Sequence, residues 1–373
     1  MSIRVGIVGV RGLSVIQALR DTPGVEVTAL CDLDAAVLEQ AAARWEIPRS
    51  YRIYGDMLAG PVDAVIVATP MQLHVQQTIE ALHAGKHVLS EVTAGCSMDE
   101  LFWLVEEVER SGLVYMMAEN YIYTPEMQQV IAMAAAGCFG SLYYGEGEYL
   151  HNLDNILTYP DGRPSWRRWW QLGTRGLFYP THSLGPLMKC FAGDRIESLV
   201  AMGSGWHTRQ DLRQEDTSVA LLRLSSGGMI RLRVDCISRR PHAMNNHTLQ
   251  GTRGVYESPR TGGTHVVSLI PPGEDVDAAT WQPLSDYTRY LPERYRKAPE
   301  HALRAGHGGG DYFIVQDFID AVRGLKPPAI DVYEACEWTA VGLLSSLSVS
   351  NESRLMRMPD FRSRDRRDQI TIL

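Results

Sequence analysis

The sequence predicts an α/β fold in which a doubly wound, parallel Rossmann sheet precedes an α+β domain with a mostly antiparallel, open sheet. Over residues 1–121, short apolar runs alternate with helical segments, which is typical of a parallel sheet covered on both faces. Beyond this point the apolar residues alternate with a period of two around "SSGG" (225–228), a hairpin signal. With 373 residues, the chain is long enough for two domains, which we place at 1–121 and 122–350, with a basic tail at 351–373.

The predicted elements of the first domain alternate between strand and helix. Strands are predicted at 3–9, 25–32, 62–70, 86–91 and 113–120, and helices at 13–20, 34–45, 72–85 and 97–112. The strands are rich in Val, Ile and Leu and are almost continuously apolar, as expected for strands buried on both faces.

The second domain is less regular. Residues 217–238 predict a hairpin and 247–258 a further strand, whereas 259–305 is rich in Pro, Gly and aromatic residues and is predicted to be a long loop. Two helices follow, at 311–324 and 332–349. We interpret the basic tail as a solvated or subunit-contacting end.

Bulk properties exclude several function classes. The net charge of −8, from 36 basic and 44 acidic side chains, argues against nucleic acid as a partner, because phosphate binding needs a basic surface. No apolar run has the length of a membrane span, and the N-terminal residues predict a strand rather than a signal peptide, so we expect a cytoplasmic protein. The six cysteines show no C-x-x-C spacing and no His/Asp/Glu cluster has metal-ligand spacing, so we predict buried thiols and no metal.

The first strand ends in a glycine-rich turn. A G-x-G-x-x-G dinucleotide motif would require glycine at the positions of Arg11 and Ser14. A shortened turn through Gly9 and Gly12 would still permit a tight bend and close approach of a phosphate, with backbone N–H groups of the next helix available. Arg11 either contacts that phosphate or is solvated.

Asp32 follows the second predicted strand, 20 residues after Gly12. A carboxylate at this position accepts hydrogen bonds from the adenosine ribose and repels a 2′-phosphate, which favours NAD over NADP. The alternative role is the N-cap of the next helix, for which Asp34 is equally suitable.

Glu91 ends the strand at 86–91, at the sheet edge where ligands bind in open α/β folds. We expect its carboxylate to accept hydrogen bonds from the nicotinamide ribose; the alternative is a helix-capping carboxylate. Val92 follows, so the predicted contact beside the nicotinamide is apolar.

Residues 62–91, "VDAVIVATPMQLHVQQTIEALHAGKHVLSE", resemble the signature of the Gfo/Idh/MocA oxidoreductases, which act mainly on sugars and cyclitols. The resemblance implies NAD as the cofactor. It also implies that these residues line the cofactor site: Thr69, Pro70, Met71, His74, Glu91 and Val92. Many members continue Glu-Lys-Pro and use the lysine as acid/base, and they carry an aspartate where this chain has Phe178.

One subgroup of this family resembles the sequence more closely than the other members do. The NAD-dependent family 109 glycoside hydrolases carry Glu-Val and a Tyr-Pro-Thr-His run, which resembles residues 179–182, and segments resembling 116–120, 147–152, 306–313 and 331–341. The implied substrate residues are Tyr149, Arg175, Tyr179, Thr181 and His182, and Asn120 is implied at the cofactor. Two features depart from that subgroup. Its members carry a fuller glycine loop, and they have an aromatic-acidic-aromatic triplet where this chain has Met71, Gln72 and Leu73.

This chemistry starts with hydride transfer from a sugar carbinol, which we take to be C3, to the nicotinamide. A dehydrogenase releases the ketone, whereas a redox-neutral glycosidase uses it to acidify C2–H, eliminates the C1 substituent, adds water and returns the hydride. His182 is the first candidate for acid/base catalysis and Tyr179 for sharing the proton; the alternative for His182 is a buried structural histidine. Tyr149 either hydrogen-bonds substrate or is a core aromatic.

The leading hypothesis is therefore a NAD-dependent oxidoreductase acting on a sugar or glycoside. The alternatives are a redox-neutral NAD-dependent hydrolase or lyase, and a non-catalytic dinucleotide or sugar sensor. We expect a small carbohydrate as substrate and a homo-oligomer, because the second-domain sheet in such folds often pairs between subunits. The aromatic-basic segment 166–170 predicts either a sugar contact or a subunit interface. Gly308–Gly310 predicts close backbone approach to a ligand or a flexible loop, with His307 as a secondary candidate.

Overall fold

The chain divides into two compact units in the computed structural model, which describes residues 2–241, 244–365 and 371–372. The first unit takes the described residues up to Tyr123, those from Pro299 to Cys336, and those from Phe361 to 365. The second takes those from Thr124 to Ala298, from Glu337 to Asp360, and 371–372. The sequence-based boundaries at 121 and 350 follow chain order, whereas the first unit also includes a segment from the C-terminal part of the chain.

Eleven α-helices form within the described residues. In chain order they are α1 (Ile16–Asp21), α2 (Ala35–Arg44), α3 (Tyr54–Ala59), α4 (His74–His83), α5 (Met98–Ser111), α6 (Pro125–Ala135), α7 (Thr181–Cys190), α8 (Glu293–Arg296), α9 (Glu300–Leu303), α10 (Gly310–Val322) and α11 (Val332–Ser350). Their ends follow capping rules; for example, the Ser97 side chain accepts a hydrogen bond from the Glu100 backbone at the start of α5, and Gly112 ends that helix with φ +63°.

The first unit contains a six-stranded sheet in which every neighbouring pair is parallel. Its strands are β1 (Ile3–Val8), β2 (Val25–Cys31), β3 (Ser50–Tyr51), β4 (Ala64–Val67), β5 (His87–Glu91) and β6 (Tyr115–Ala118). The order β3-β2-β1-β4-β5-β6, with the chain crossing over between β3 and β4, is that of a doubly wound nucleotide-binding fold. The predicted Rossmann sheet is confirmed.

The helix predicted at 13–20 begins three residues later than predicted. A 3-10 turn spans Val10–Val15, and the α-helix starts only at Ile16. The Gly12 backbone N–H donates to the Gly9 carbonyl, so the chain turns tightly before it becomes α-helical.

The second unit is built on a sheet of ten strands among the described residues. They are β7 (Leu142–Leu150), β8 (Ile196–Gly203), β9 (Ser218–Leu224), β10 (Met229–Asp235), β11 (Asn245–Gly251), β12 (Gly254–Glu257), β13 (Val266–Leu269), β14 (Trp281–Pro283), β15 (Met356–Arg357) and β16 (Thr371–Ile372). Their order is β14-β13-β12-β11-β7-β10-β9-β8-β15-β16. Only β7 and β10 pair in parallel, so the predicted, mostly antiparallel sheet is confirmed.

Several local predictions need correction. The hairpin at 217–238 is present as β9 and β10, but the single strand predicted at 247–258 is a hairpin of β11 and β12. The long loop predicted at 259–305 is wrong, because this segment contains β13, β14, α8 and α9. Here β13 pairs with β12 and β14 pairs with β13, and the local sequence pattern does not reveal these partners.

The sequence predicts that the tail from residue 351 is solvated or contacts another subunit; in its described part some residues are exposed, but several apolar ones are packed within the fold. Met356 and Phe361 are fully buried, and β15 pairs with β8. The Phe361 ring lies 5.6 Å from that of Phe102 on α5. Apolar burial therefore fixes this segment despite its basic composition; residues 366–370 and 373 lie outside the described residues.

None of the helices in the described residues combines the length and apolar character needed to cross a membrane. All six cysteines are free thiols, four of them buried.

The turn at Gly9 gives a stability prediction. An added Cβ would lie 2.5 Å from the Ala68 carbonyl oxygen, and φ is +87°. Gly85 has a similar φ of +74°, but a Cβ there would meet nothing within 4 Å. We expect Gly9→Ala to lower the free energy of unfolding by about 1–3 kcal/mol more than Gly85→Ala, because only the first forces a steric overlap. Urea unfolding without cofactor measures both variants, and equal losses would contradict this packing.

Candidate active site

The turn after β1 leaves no room for a side chain at two positions, Gly9 and Gly12. The Gly9 position is closed by the Ala68 carbonyl, and a Cβ on Gly12 would lie 2.7 Å from Ile7 Cγ2 and 3.0 Å from Ala68 Cβ. The bare backbone of the turn therefore packs directly on the end of β4. Such a turn fits a dinucleotide, because it exposes backbone to a phosphate without side chains in the way.

Asp32 lies at the end of β2. Its Oδ2 accepts a hydrogen bond from Val10 N and its Oδ1 one from Asp34 N, both at 3.0 Å. Asp34 itself caps α2 by accepting from the backbone N–H groups of Ala36 and Val37. The capping role considered for Asp32 thus belongs to Asp34. Each carboxylate oxygen of Asp32 keeps a further lone pair for a ribose hydroxyl, which fits NAD.

His74 connects the loops that follow β4 and β5. Its ring is buried; Nε2 lies 2.8 Å from the Thr69 carbonyl oxygen and Nδ1 lies 2.9 Å from that of Thr93. Because both ring nitrogens contact main-chain carbonyls, His74 holds these two loops together.

The other predicted residues of the first loop surround this connection. The Thr69 hydroxyl donates to Gln77 Oε1 at 2.6 Å, and Pro70 precedes a 3-10 turn that begins at the buried Met71. These residues shape the loop; Thr69 and Pro70 are partly exposed at its surface.

Glu91 ends β5, as predicted. Its Oε2 accepts a hydrogen bond from Arg11 Nε at 3.0 Å, so Arg11 is neither simply solvated nor unpaired. Val92 is buried beside it, and the peptide bond between Val92 and Thr93 is cis. The pair joins the glycine turn to the end of β5.

Asn120 makes a contact that the sequence did not predict. Its Nδ2 donates to Asp311 Oδ1 at 3.0 Å, and the same oxygen lies 2.9 Å from His307 Nδ1. Burial lowers the pKa of His307, but the hydrogen bond and charge of Asp311 raise it more, so the pKa lies above its ordinary value. Burial raises the pKa of Asp311, but the hydrogen bonds from His307 and Asn120 and the charges of His307 and Arg11 together lower it more, so the pKa lies below its ordinary value.

Two glycines of this segment, Gly306 and Gly310, permit close packing. A Cβ on Gly310 would strike the Asn120 carbonyl oxygen, and one on Gly306 would strike the Asp311 carboxylate. The N-terminus of α10 therefore packs closely against the residues that follow β6.

In the second unit, α7 lies directly on β7. The period-two geometry puts Gly145, Gly147 and Tyr149 on one face of the strand. A Cβ on Gly147 would strike the carbonyl of Ser183 in α7, so this glycine permits the close approach. As a result, His182 on the first turn of α7 lies beside Tyr149.

Three of the predicted catalytic and substrate residues, Tyr149, Tyr179 and His182, form one aromatic cluster. The Tyr179 and His182 ring centroids are 5.0 Å apart, and those of Tyr149 and His182 are 5.4 Å apart. Tyr179 and Tyr149 are 5.8 Å apart. His182 is 6% exposed, and Thr181 beside it is fully buried. Two phenols and an imidazole thus share one site, which can exchange protons with a bound hydroxyl.

Tyr179 adopts a left-handed backbone, with φ +85°. This conformation is unfavourable for a bulky side chain, and such residues are concentrated at functional sites. Proline 180 follows and α7 begins at Thr181.

Two further polar residues belong to this neighbourhood and were missed. The Tyr149 hydroxyl lies 2.9 Å from His151 Nδ1, and Asn245 lies opposite Tyr149 in the β7–β11 ladder. The period-two rule points to His151, which follows Tyr149 by two positions. No local signal identifies Asn245, because strand pairing brings it there.

Arg175 does not join the cluster through any contact among the described residues. Its Nη2 lies 2.7 Å from Glu215 Oε1, and its guanidinium lies 5.3 Å from the Trp206 ring centroid. Glu215 is buried, so Arg175 neutralises a carboxylate that burial would otherwise penalise.

The segment 166–170 forms a separate surface. The Arg167 guanidinium lies 4.5 Å from the Trp166 ring centroid, and Arg168 pairs with Asp211 at 2.6 Å. Trp169 and Trp170 are exposed, which leaves both the sugar contact and the subunit interface as predictions.

Comparison with known proteins identifies the family. Residues 3–119 match the oxidoreductase family with an NAD-binding Rossmann fold, and residues 123–366 match the glycosyl hydrolase 109 C-terminal domain. The chain belongs to glycosyl hydrolase family 109. A family 109 protein of Saccharopolyspora erythraea is 32% identical over 394 residues, covering 96% of this chain and 83% of that protein. One from Shewanella pealeana is 30% identical, with coverages of 96% and 85%.

Solved structures support the fold. An NAD-binding oxidoreductase from Klebsiella pneumoniae has a TM-score of 0.78 at 19% identity and covers 96% of this chain and 99% of its own. A levoglucosan dehydrogenase in complex with NADH and L-sorbose has a TM-score of 0.79 at 18% identity, with coverages of 96% and 100%.

Family membership confirms the Gfo/Idh/MocA resemblance and the family 109 subgroup. The chain is an enzyme of this family with an NAD-binding Rossmann domain. Between the two reactions considered above, the family favours hydrolysis, given as the alternative, over net oxidation.

The carboxylate at position 32 predicts cofactor preference. We expect Asp32→Asn to weaken NAD binding and to shift the ratio of the NAD and NADP dissociation constants about tenfold toward NADP, because a hydrogen bond to a charged group contributes roughly 1 kcal/mol more than a neutral one. Titration of both dinucleotides measures this ratio. Asp34→Asn is the matched control, since asparagine also caps helices; an equal shift in both variants would contradict the role of Asp32.

Proposed function

We propose that this chain is an NAD-dependent glycoside hydrolase whose cofactor is unchanged after a complete catalytic cycle, and that the carbinol oxidised is at C3 of the sugar. The observation that carries the proposal is the cluster of Tyr149, Tyr179 and His182 in a unit that matches the glycosyl hydrolase 109 C-terminal domain.

Bound NAD supplies a hydride acceptor and, later, a hydride donor. In the proposed cycle, the C3 carbinol loses a hydride and its hydroxyl proton, and the resulting ketone acidifies the neighbouring C2–H. Loss of that proton breaks the C1–O bond, and the aglycone leaves with a proton. Water adds across C1 and C2, and the C3 carbonyl regains hydride and proton. The net change is hydrolysis, without the paired carboxylates of other glycosidases.

The residues of this chain handle position and protons. We assign His182 to acid/base catalysis, because its imidazole can accept and return a proton near neutral pH, and Tyr179 to sharing that proton. Tyr149 contacts both and is assigned to a substrate hydroxyl. Asp32 and Glu91 hold the two ribose groups of NAD.

Val92 supports the assignment of proton transfer to residues of the second unit. Many Gfo/Idh/MocA oxidoreductases carry a lysine at this position as acid/base, whereas here the side chain is apolar and buried. Proton transfer is therefore assigned to the phenol and imidazole groups of the second unit. The substrate in this proposal is a glycoside, and the enzyme works as a homo-oligomer.

The redox balance gives a direct test. We expect denatured protein to release NAD, and native protein to cleave an aryl glycoside with a catalytic amount of NAD and no accumulation of NADH absorbance. In deuterium oxide, the released sugar should carry deuterium at C2, because water returns that hydrogen. Stoichiometric NADH formation from a free sugar, with no glycoside cleavage, would instead establish a dehydrogenase.

His182 gives the second test. We expect His182→Ala to lower turnover of the aryl glycoside by about 10²–10⁴-fold, the usual contribution of a general acid/base group, while the NAD dissociation constant stays the same. His207→Ala is the control, because this histidine belongs to the same unit and is exposed. Turnover by the His182 variant at the wild-type rate would remove His182 from the mechanism.

A further inference from the structure

One acid–base group in the first unit is not used by the mechanism above. Asp311 Oδ1 receives hydrogen bonds from Asn120 Nδ2 at 3.0 Å and from His307 Nδ1 at 2.9 Å. The Asp311 side chain is only 5% exposed. The three residues come from two distant parts of the chain and meet at the N-terminus of α10.

This arrangement is costly for the fold. A buried carboxylate loses its hydration, and ion pairing recovers that loss only when the geometry is good. His307 also adopts a left-handed backbone with φ +55°, which is uncommon for residues other than glycine. Gly306 and Gly310 are both needed to admit the Asp311 carboxylate and the Asn120 carbonyl. Several unfavourable features concentrated at one histidine point to a functional role.

The His307 ring is oriented, and one of its nitrogens is available. Nδ1 is held by Asp311, whereas Nε2 makes no hydrogen bond with the described residues, and the side chain is 25% exposed. The ring of Tyr121 lies 5.5 Å away, edge to face. The charged groups that act on the ring are Asp311, Glu91 and Arg11. Nε2 is therefore available to a ligand, and the charges of the Arg11–Glu91 ion pair act on the same ring.

The strands next to His307 indicate which half of a bound dinucleotide this residue can reach. Asp32 follows β2, whereas Glu91 is the last residue of β5 and Asn120 lies just beyond β6, both on the other side of the switch point between β1 and β4. The two halves of a dinucleotide bind on opposite sides of that switch point. His307, which is tied to Asn120 through Asp311, therefore belongs with the nicotinamide half.

We propose that His307 is a further cofactor-positioning residue, which Asp311 and Asn120 hold so that Nε2 hydrogen-bonds the nicotinamide mononucleotide half of bound NAD. This inference rests on the proposed use of NAD. It adds a contact from the C-terminal part of the chain to a site otherwise built by residues 9–120.

The test compares dissociation constants for NAD and for AMP, which lacks the nicotinamide half. His307→Gly removes the ring and suits the left-handed backbone. His307→Asn also tolerates that backbone and can still donate to Asp311, but it is too short to place a donor where Nε2 lies. We expect both variants to bind NAD about tenfold more weakly and AMP as tightly as the wild type, since one hydrogen bond is lost.

His301→Ala is the matched control. His301 also pairs with an aspartate of the first unit, Asp21, at 2.6 Å, and its side chain is more exposed than that of His307. It should bind both ligands as the wild type does. Unchanged NAD affinity in the two His307 variants would overturn the inference, and so would an equal loss of AMP affinity, which would indicate a structural role. Failure of the wild-type protein to bind NAD would instead overturn the proposed function itself.

Discussion

The parallel hydrogen-bonded ladder of the first unit determines where its chemistry is. Because β2, β5 and β6 all run in the same direction, the residues that follow them emerge at one edge of the sheet. Asp32 and Glu91 reach that edge without any specific contact between them. The close packing of Gly9 on the end of β4 then brings the turn after β1 to the same edge, so that Arg11 can pair with Glu91. Side chains 80 residues apart meet because the strands share a direction and a register.

Sequence patterns predicted where Asp32 and Glu91 lie in the sheet, since each feature is local. An apolar run predicts a buried strand, and the residue after it is then an edge residue, as at Asp32 and Glu91. The same patterns predicted α10 as a helix but not its location in the first unit. Asn120 and Asp311 are 191 residues apart, and their contact depends on how the helix packs. Helical periodicity shows which face is apolar, but it does not show which sheet that face covers.

In the second unit, the glycines of β7 are a sequence signal that predicts close packing. In β7, period-two geometry aligns Gly145 and Gly147 with Tyr149, and two glycines on one face predict a close neighbour there. The neighbour is α7, which carries His182. The family resemblance indicated each motif separately, whereas the contact between them is possible because Gly147 has no side chain to keep α7 away from β7. The packed tail has a similar explanation, since Met356 and Phe361 are the apolar residues of an otherwise basic segment.

Two aromatic residues with left-handed backbones, Tyr179 and His307, lie in different units. Tyr179 belongs to the proposed proton-transfer cluster, and His307 to the proposed cofactor site. Each lies just before a helix, α7 or α10, and each is held by a neighbouring polar or aromatic side chain, His182 or Asp311. In a redox-neutral cycle the cofactor does not need to leave, so contacts that hold NAD firmly do not slow turnover. A dehydrogenase, which exchanges NAD in every cycle, gains less from such contacts. Loops fixed by His74 and a histidine anchored through a buried carboxylate are therefore consistent with a cofactor that is retained.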